Sequence, residues 1–254
     1  MILLPAYKGG FVINAEGEKE AIKGRSSFIM KKKVKVYPDT LCWLKDLTYA
    51  YNEPFVREYF SHIGYDNYPV VGVNWHQAQA FCNWRTQYFN SNAGVRVQAW
   101  RLPNEVEWEY AARGGLSGAK YPWGGPYTRN KKGCFLANFK PLRGNYISDG
   151  GFTTVPVGTY EPNGFGLYDM AGNVAEWTGD AFDESAYQVT HDLSPYYQIT
   201  AKKSDNKILK RKVIRGGSWK DIAYFMQCGV RTYEYADSAR SFIGFRTVRT
   251  RIEY

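Results

Sequence analysis

The sequence predicts a loop-rich α+β fold with few helices and short strands, and three observations carry that reading. Aromatic residues make up 17% of the 254, with 21 Tyr and 8 Trp, a load of large rings that suits an irregular packed core better than a helical bundle. Glycine reaches 25 residues, which supplies turns throughout. A short apolar run, a capping Asn and a helix follow one another twice, and the apolar runs elsewhere are too short for long helices. Charged residues are only 22%, too few for extensive disorder. No shift of composition marks a boundary, so residues 1–254 read as one domain, with a core at about 69–249, an N-terminal extension over 1–68 packed on it and an insertion over 181–212.

In chain order, residues 1–13 read as one strand or two short ones around the turn signal Lys8-Gly9-Gly10, and residues 14–25 as a polar loop. FIMKKKVKV, within 26–37, mixes β-branched and basic residues as an edge strand does. Pro54 starts a short helix through His62. Residues 69–73 form an apolar strand. Asn74 and Gln77 then make a capping box for a helix to about 90, whose inner face carries Trp75, Ala78, Cys82 and Arg85, widened by Ala80, Phe81 and Trp84. Residues 95–102 are strand-like, and Asn104 with Glu107 caps a second helix over 105–113. Its Glu105, Glu107 and Glu109 fit a first turn facing the positive end of the helix dipole better than a catalytic cluster. Further short strands are expected at 134–139, 154–158, 228–231 and 242–248, and 213–219 reads as core-like with a glycine turn.

The formal charge of +9 allows an acidic partner. It is concentrated in Lys31, Lys32, Lys33 and Lys35 and in Lys202, Lys203, Lys207, Lys210, Arg211 and Lys212; the second run is the candidate partner-binding surface. Neither run carries a groove-reading or RNA-binding signature, so nucleic acid is not expected. Cys42, Cys82, Cys134 and Cys228 show no CxxC and no Cys/His spacing, which argues against structural zinc, and they are too scattered for a disulfide scaffold. The opening MILLPAYKGGF lacks a basic n-region and a cleavage site and does not read as a signal peptide.

NGFGLYDMAGNVAEW, residues 163–177, is the densest stretch. Gly164, Gly166 and Gly172 permit a tight irregular path, while Leu167, Tyr168, Met170, Val174 and Trp177 are too apolar for a solvated loop. A buried coil must satisfy its own backbone. Asp169, Asn173 and Glu176 either cap turns or join freed carbonyls in an oxygen-only cage for a hard cation such as Ca²⁺.

RLPNEVEWEYAARGG (101–115), YPWG (121–124), the 163–177 stretch, VIRGGSW (213–219) and GFR (244–246) occur in an order that closely resembles the formylglycine-generating-enzyme or sulfatase-modifying-factor domain. The resemblance implies a variant of the C-type-lectin-like fold. It also implies two structural Ca²⁺ sites, one on Asn138, Phe139, Asp149 and Gly151, the other on Asp169, Gly172, Val174 and Glu176, with Phe139, Gly151, Gly172 and Val174 acting through their carbonyls. The family's enzymes use two cysteines five positions apart to bind Cu(I); the second falls on Cys228, and the first on Ala223, so catalysis is not expected.

Residues 37–86, beginning YPDTLCWLKDLTYAYNEPFVREYF, resemble the gliding-motility and type IX secretion lipoproteins of the GldK/PorK type, and next those of the GldJ type. That implies a non-enzymatic ring component on the periplasmic face of the outer membrane, a homo-oligomeric ring with a GldN/PorN-type partner, and a lipid anchor outside this chain. Two alternatives from other classes remain: a copper-dependent oxidase working through Cys228, and a glycan-binding module presenting exposed rings on a lectin-like frame.

Overall fold

A computed structural model describes residues 11–13, 19–21, 34–49, 52–93, 97–142, 145, 147, 151–189, 196–202 and 204–250. Two compact units are distinguished, residues 1–35 and 36–254. In the first, β1 (Phe11–Ile13) pairs antiparallel with β2 (Lys19–Ala21), so part of the expected polar loop is a strand. Of the edge strand expected within 26–37, residues 26–33 lie outside the described residues and 34–37 are coil and bend, not strand.

The second unit contains α1 (Cys42–Asp46), α2 (Glu53–Glu58), α3 (Trp75–Asn92), β3 (Trp100–Arg101), α4 (Glu105–Arg113), β4 (Ala175–Ala181), α5 (Ala186–Val189), β5 (Arg211–Arg215), β6 (Thr232–Tyr235), β7 (Ile243–Phe245) and β8 (Val248–Arg249). A four-stranded sheet runs in the order β6-β5-β4-β7, with β4 antiparallel to β5 and parallel to β7. All seven residues of β4 are buried, as a strand covered on both faces must be. Trp177 is fully buried there and satisfies its indole N–H on the Val73 carbonyl at 3.0 Å. β3 and β8 form a separate antiparallel pair.

Both capping boxes form as the sequence predicts. Asn74 accepts from the Gln77 amide at 3.0 Å while Gln77 accepts from the Asn74 amide at 2.8 Å, and Asn104 and Glu107 repeat the exchange. Ala78 and Cys82 sit in the core beside Leu102, Trp177 and Ile243, and Arg85 stacks on Trp100 at 3.9 Å. Phe81 and Trp84, expected to widen the inner surface, are exposed. α4 ends at Gly114, whose left-handed φ of 58° lets the chain turn against Asn163 and Gly164.

Several expected strands are absent. Residues 69–73 are coil with a bend at Gly72, 97–99 are coil, 154–156 are coil leading into a turn at 157–158, 134–139 contributes one bridge from Arg129 to Phe135, and 228–231 is a turn followed by coil. Side chains take the place of a ladder: Tyr59 donates to the Pro69 carbonyl at 2.6 Å, and Asn173 accepts from the Val155 amide and donates to the Val155 carbonyl. A short apolar run is equally compatible with packed coil when such partners exist. α2 stops at Glu58, and His62 caps the next turn by accepting the Gly64 amide at 3.0 Å.

Candidate functional site

Residues 163–174 are irregular, as the glycine pattern requires, and lead directly into β4. Asp169 and Asn173 adopt positive φ values of 54° and 62°, a conformation short polar side chains tolerate. The coil is tied by its own polar groups. Asn163 accepts the Phe165 and Leu167 amides and donates to Ala111 at the end of α4. Asn173 donates its amide to the Asn138 carbonyl at 2.8 Å, and Asn138 donates its side-chain amide to the Thr153 carbonyl at 2.7 Å.

The expected calcium ligands divide. Asn138 and Gly151 meet at Thr153, Phe139 packs with Tyr121 and Met226, and Asp149 lies outside the described residues. Asp169 accepts the Gly158 amide at 2.8 Å on one oxygen. Burial raises its pKa, with the Glu176 charge adding and Arg246 opposing, so this carboxylate sits where a cation is favourable. Glu176 is differently placed. Its two oxygens take Arg246 at 2.5 and 2.7 Å and the Trp108 indole at 2.7 Å, so a cation there would share the carboxylate with a guanidinium. Gly172 packs directly on the Asn138 carbonyl, which brings the two expected cages side by side. Among the described residues no three His, Cys, Asp or Glu side chains gather to hold a metal, so any Ca²⁺ would depend on backbone carbonyls. If Ca²⁺ binds, calcium at a hundredfold excess over Kd should stabilise the fold by about 2.7 kcal/mol, read as a higher melting temperature than in chelator. Asp169→Ala should remove that difference, and identical melting in calcium and chelator would contradict the reading.

Beside the coil lies Cys228, buried among Trp108, Ala112 and Met170. Burial pushes its thiol up to about 11, with Glu109 adding and Arg113 and Arg215 opposing, so the thiolate is suppressed at neutral pH. All four cysteines are free. Ala223 opens a short 3₁₀ turn and packs against the Tyr121, Phe139 and Met226 cluster, a different cluster from that of Cys228. These residues do not fit a two-thiolate Cu(I) site.

The sequence reading missed an arginine system. Arg215, with no exposed side-chain surface, donates to Glu105 at 3.0 Å, to Glu109, and to the Cys228 carbonyl at 2.6 Å. Arg231 holds Glu105 at 2.6 and 2.8 Å, and Glu107 pairs with Arg101. The three glutamates of α4 are thus ion-pair partners, and only Glu105 and Glu107 stand in its first turn. A charge inside the otherwise core-like VIRGGSW and GFR runs was the available signal, since a buried charge needs a counter-charge.

The basic run at 202–212 is not one surface. Lys202 and Lys207 are exposed and Lys210 is half-buried, while Lys203 lies outside the described residues. Arg211 stacks on Tyr233 at 4.2 Å. Lys212 is buried against Trp75 at 4.2 Å, and burial lowers its pKa to about 8 while Asp180 opposes the shift. It is buried because β5 is covered on both faces: Lys212, Val213, Ile214 and Arg215 are buried in succession.

The chain is 35% identical over 189 residues to the formylglycine-generating enzyme of Streptomyces coelicolor, which covers 72% of this chain and 53% of the relative. It is also 35% identical over 185 residues to the inactive C-alpha-formylglycine-generating enzyme 2 of Bos taurus, covering 70% and 49%. The chain therefore spans about half the length of these relatives. Among solved structures, PvdO from Pseudomonas aeruginosa aligns with a TM-score of 0.57 at 27% identity, over 72% of this chain and 62% of that one. Residues 26–251 match the sulfatase-modifying factor enzyme 1-like domain, the buried coil and the arginine-tied β4 lie within that match, and the chain belongs to this family.

Proposed function

We propose that the chain is a non-catalytic structural subunit, a family domain used as a rigid assembly block in the type IX secretion and gliding machinery at the periplasmic face of the outer membrane. The observation that carries the first half is the sulfur site. One buried thiol of raised pKa stands at Cys228, and the position five residues earlier is Ala223 in another packing cluster. The relatives include a protein named inactive as well as proteins named enzymes, so family membership alone supports either role. The second half rests on the resemblance of residues 37–86 to GldK/PorK-type lipoproteins. These residues supply α1, α2 and an aromatic cluster centred on Trp43, Phe55 and Tyr59 that packs beneath Val174 and Trp219, so the segment is structurally part of the domain.

Affinity capture from native envelopes should recover a large ring with a GldN/PorN-type partner; a soluble monomer without partners contradicts the assembly role. A copper-dependent oxidase is the second reading, favoured by one contact: the Met170 thioether, another soft donor, shares the Cys228 cluster. Copper(I) titration separates the two. The structural reading expects no tight stoichiometric binding, and sub-micromolar binding that disappears in Cys228→Ser would overturn it.

A further inference from the structure

Helix α3 turns a face to solvent whose chemistry differs from that of the rest of the chain. Charged residues make up 22% of the sequence, and α2 and α4 both mix acids with bases along their length. The 18 residues of α3 hold one formal charge, Arg85, with His neutral. That charge is turned toward the body of the protein, stacked on Trp100 at 3.9 Å and donating to Thr247 at 2.7 Å. Rings, amides and a hydroxyl are what the helix shows outward. Phe81, Trp84 and Tyr88 are 38%, 54% and 59% exposed and touch in a row, Phe81 on Trp84 at 5.5 Å and Trp84 on Tyr88 at 5.3 Å. Asn83, Gln87 and Ser91 are exposed beside them.

The row has a regular spacing. Gln77, Phe81, Trp84, Tyr88 and Ser91 follow one another at intervals of four, three, four and three residues, the 3.5-residue period along which one helix packs on another. α3 already buries a different stripe, Ala78 and Cys82, against Leu102 and Trp177. The outer seam is therefore surplus to the fold, and contiguous exposed rings without charges have the composition of the centre of a protein interface.

Two observations select a second copy of this chain as what covers it. With a formal charge of +9, copies of the chain repel one another, and a seam without charges is a surface on which that repulsion is least. A partner recruited by charge would be drawn to the basic surfaces instead. The seam is also self-complementary. With two helices antiparallel and a two-fold axis between Trp84 and Tyr88, the Trp84 of each copy meets the Tyr88 of the other, and Phe81 meets the small Ser91. Reciprocal contacts of this kind are what an isologous interface requires.

We propose that α3 is a homodimer interface, two copies packing antiparallel along Phe81, Trp84 and Tyr88. The inference uses neither the sulfur site nor the secretion machinery. It is tested on the purified chain alone, whereas the assembly role is tested on native envelopes, so either can fail without the other.

Sedimentation velocity of the full chain, in reductant because Cys134 is exposed, should show a monomer–dimer equilibrium between about 1 and 100 micromolar. Raising the salt should strengthen it, since screening removes repulsion between like-charged copies and no ion pair across the seam is lost. Trp84→Ala should weaken the dimer about thirtyfold, the effect of removing a central aromatic anchor. Trp84→Lys and Tyr88→Glu should each leave a monomer, and mixing the two variants should restore association, because the new ammonium of one then faces the new carboxylate of the other. Gln87→Lys, on the same outward face, serves if Trp84→Lys folds poorly. Tyr110→Lys, at an exposed ring on α4, adds the same charge elsewhere and should leave the dimer intact. A chain monomeric across the whole range, which would give the seam to a different partner, overturns the proposal. So do a dimer that survives Trp84→Lys and Gln87→Lys, a mixture that fails to associate, a dimer that weakens as salt rises, and equal losses from Tyr110→Lys and Trp84→Lys.

Discussion

Arg215→Met is expected to lower folding stability by about 3–5 kcal/mol, the cost of breaking a buried ion pair from one side. The guanidinium has no exposed side-chain surface and serves three acceptors from separate parts of the chain: Glu105 and Glu109 on α4, and the Cys228 carbonyl in the turn before β6. Its plane also stands 5.6 Å from the Trp108 ring. Methionine fills much of the volume but supplies no donor. Glu105 would keep Arg231 and Glu109 would keep Arg113, whereas the Cys228 carbonyl would lose the Arg215 donor. Arg215→Lys retains the charge without the fork and should cost roughly half as much, because one ammonium cannot meet three acceptors in that geometry. Arg231→Met, at a partly exposed pair, should cost less than either. Urea unfolding monitored by tryptophan fluorescence measures all three. A loss below about 1 kcal/mol for Arg215→Met would mean that the network is replaceable by packing, as some buried ion pairs are.

That network also marks where the sequence stopped being legible. Local rules were enough for the helices: an Asn three residues before a Gln or Glu predicted both capping boxes, and the apolar spacing predicted that Ala78 and Cys82 face inward. The glycines of 163–177 predicted coil, and coil is found up to β4. Strands were harder to read. Val155 has strand-like neighbours, yet its amide and carbonyl are both met by Asn173, a partner 18 residues away that no window of local pattern reveals. The ion pairs failed for the same reason, since Arg215 and Glu105 are 110 residues apart. Asp180 gave no signal at all. It sits in β4, accepts the Glu105 and Tyr197 amides, and is pushed up to about 6 by burial. The resemblance to a family supplied what periodicity could not, namely which pieces of coil belong together. It did not supply occupancy: whether a cation joins Asp169 depends on how firmly Arg246 holds Glu176, a question of competing charges in one pocket.

Gly172→Ala and Gly166→Ala should differ sharply although the two glycines share nearly the same backbone conformation, φ 75° and 74°. Either alanine meets the cost of a left-handed L-residue, about 1–2 kcal/mol. At Gly166 nothing lies within 4 Å of the added methyl, so that cost should be the whole effect. At Gly172 the methyl overlaps the Asn138 carbonyl and presses on the Asn138 amide nitrogen at 3.1 Å. Asn138 has little freedom to retreat. Its carbonyl accepts the Asn173 amide, its side chain holds the Thr153 carbonyl, and it is buried beside Phe139 and Ala171. Relief must therefore come from shifting the central coil itself, which would strain the Gly172 amide bond to the Gly216 carbonyl at 2.9 Å and loosen the start of β4. A total loss above about 4 kcal/mol is expected for Gly172→Ala, in the range reserved for backbone overlap in a core. Thermal and urea unfolding should place Gly166→Ala about 1–2 kcal/mol below the parent chain and Gly172→Ala well below both. Equal, small losses at both positions would show that the coil can move away from Asn138 and is held less rigidly than its hydrogen bonds indicate.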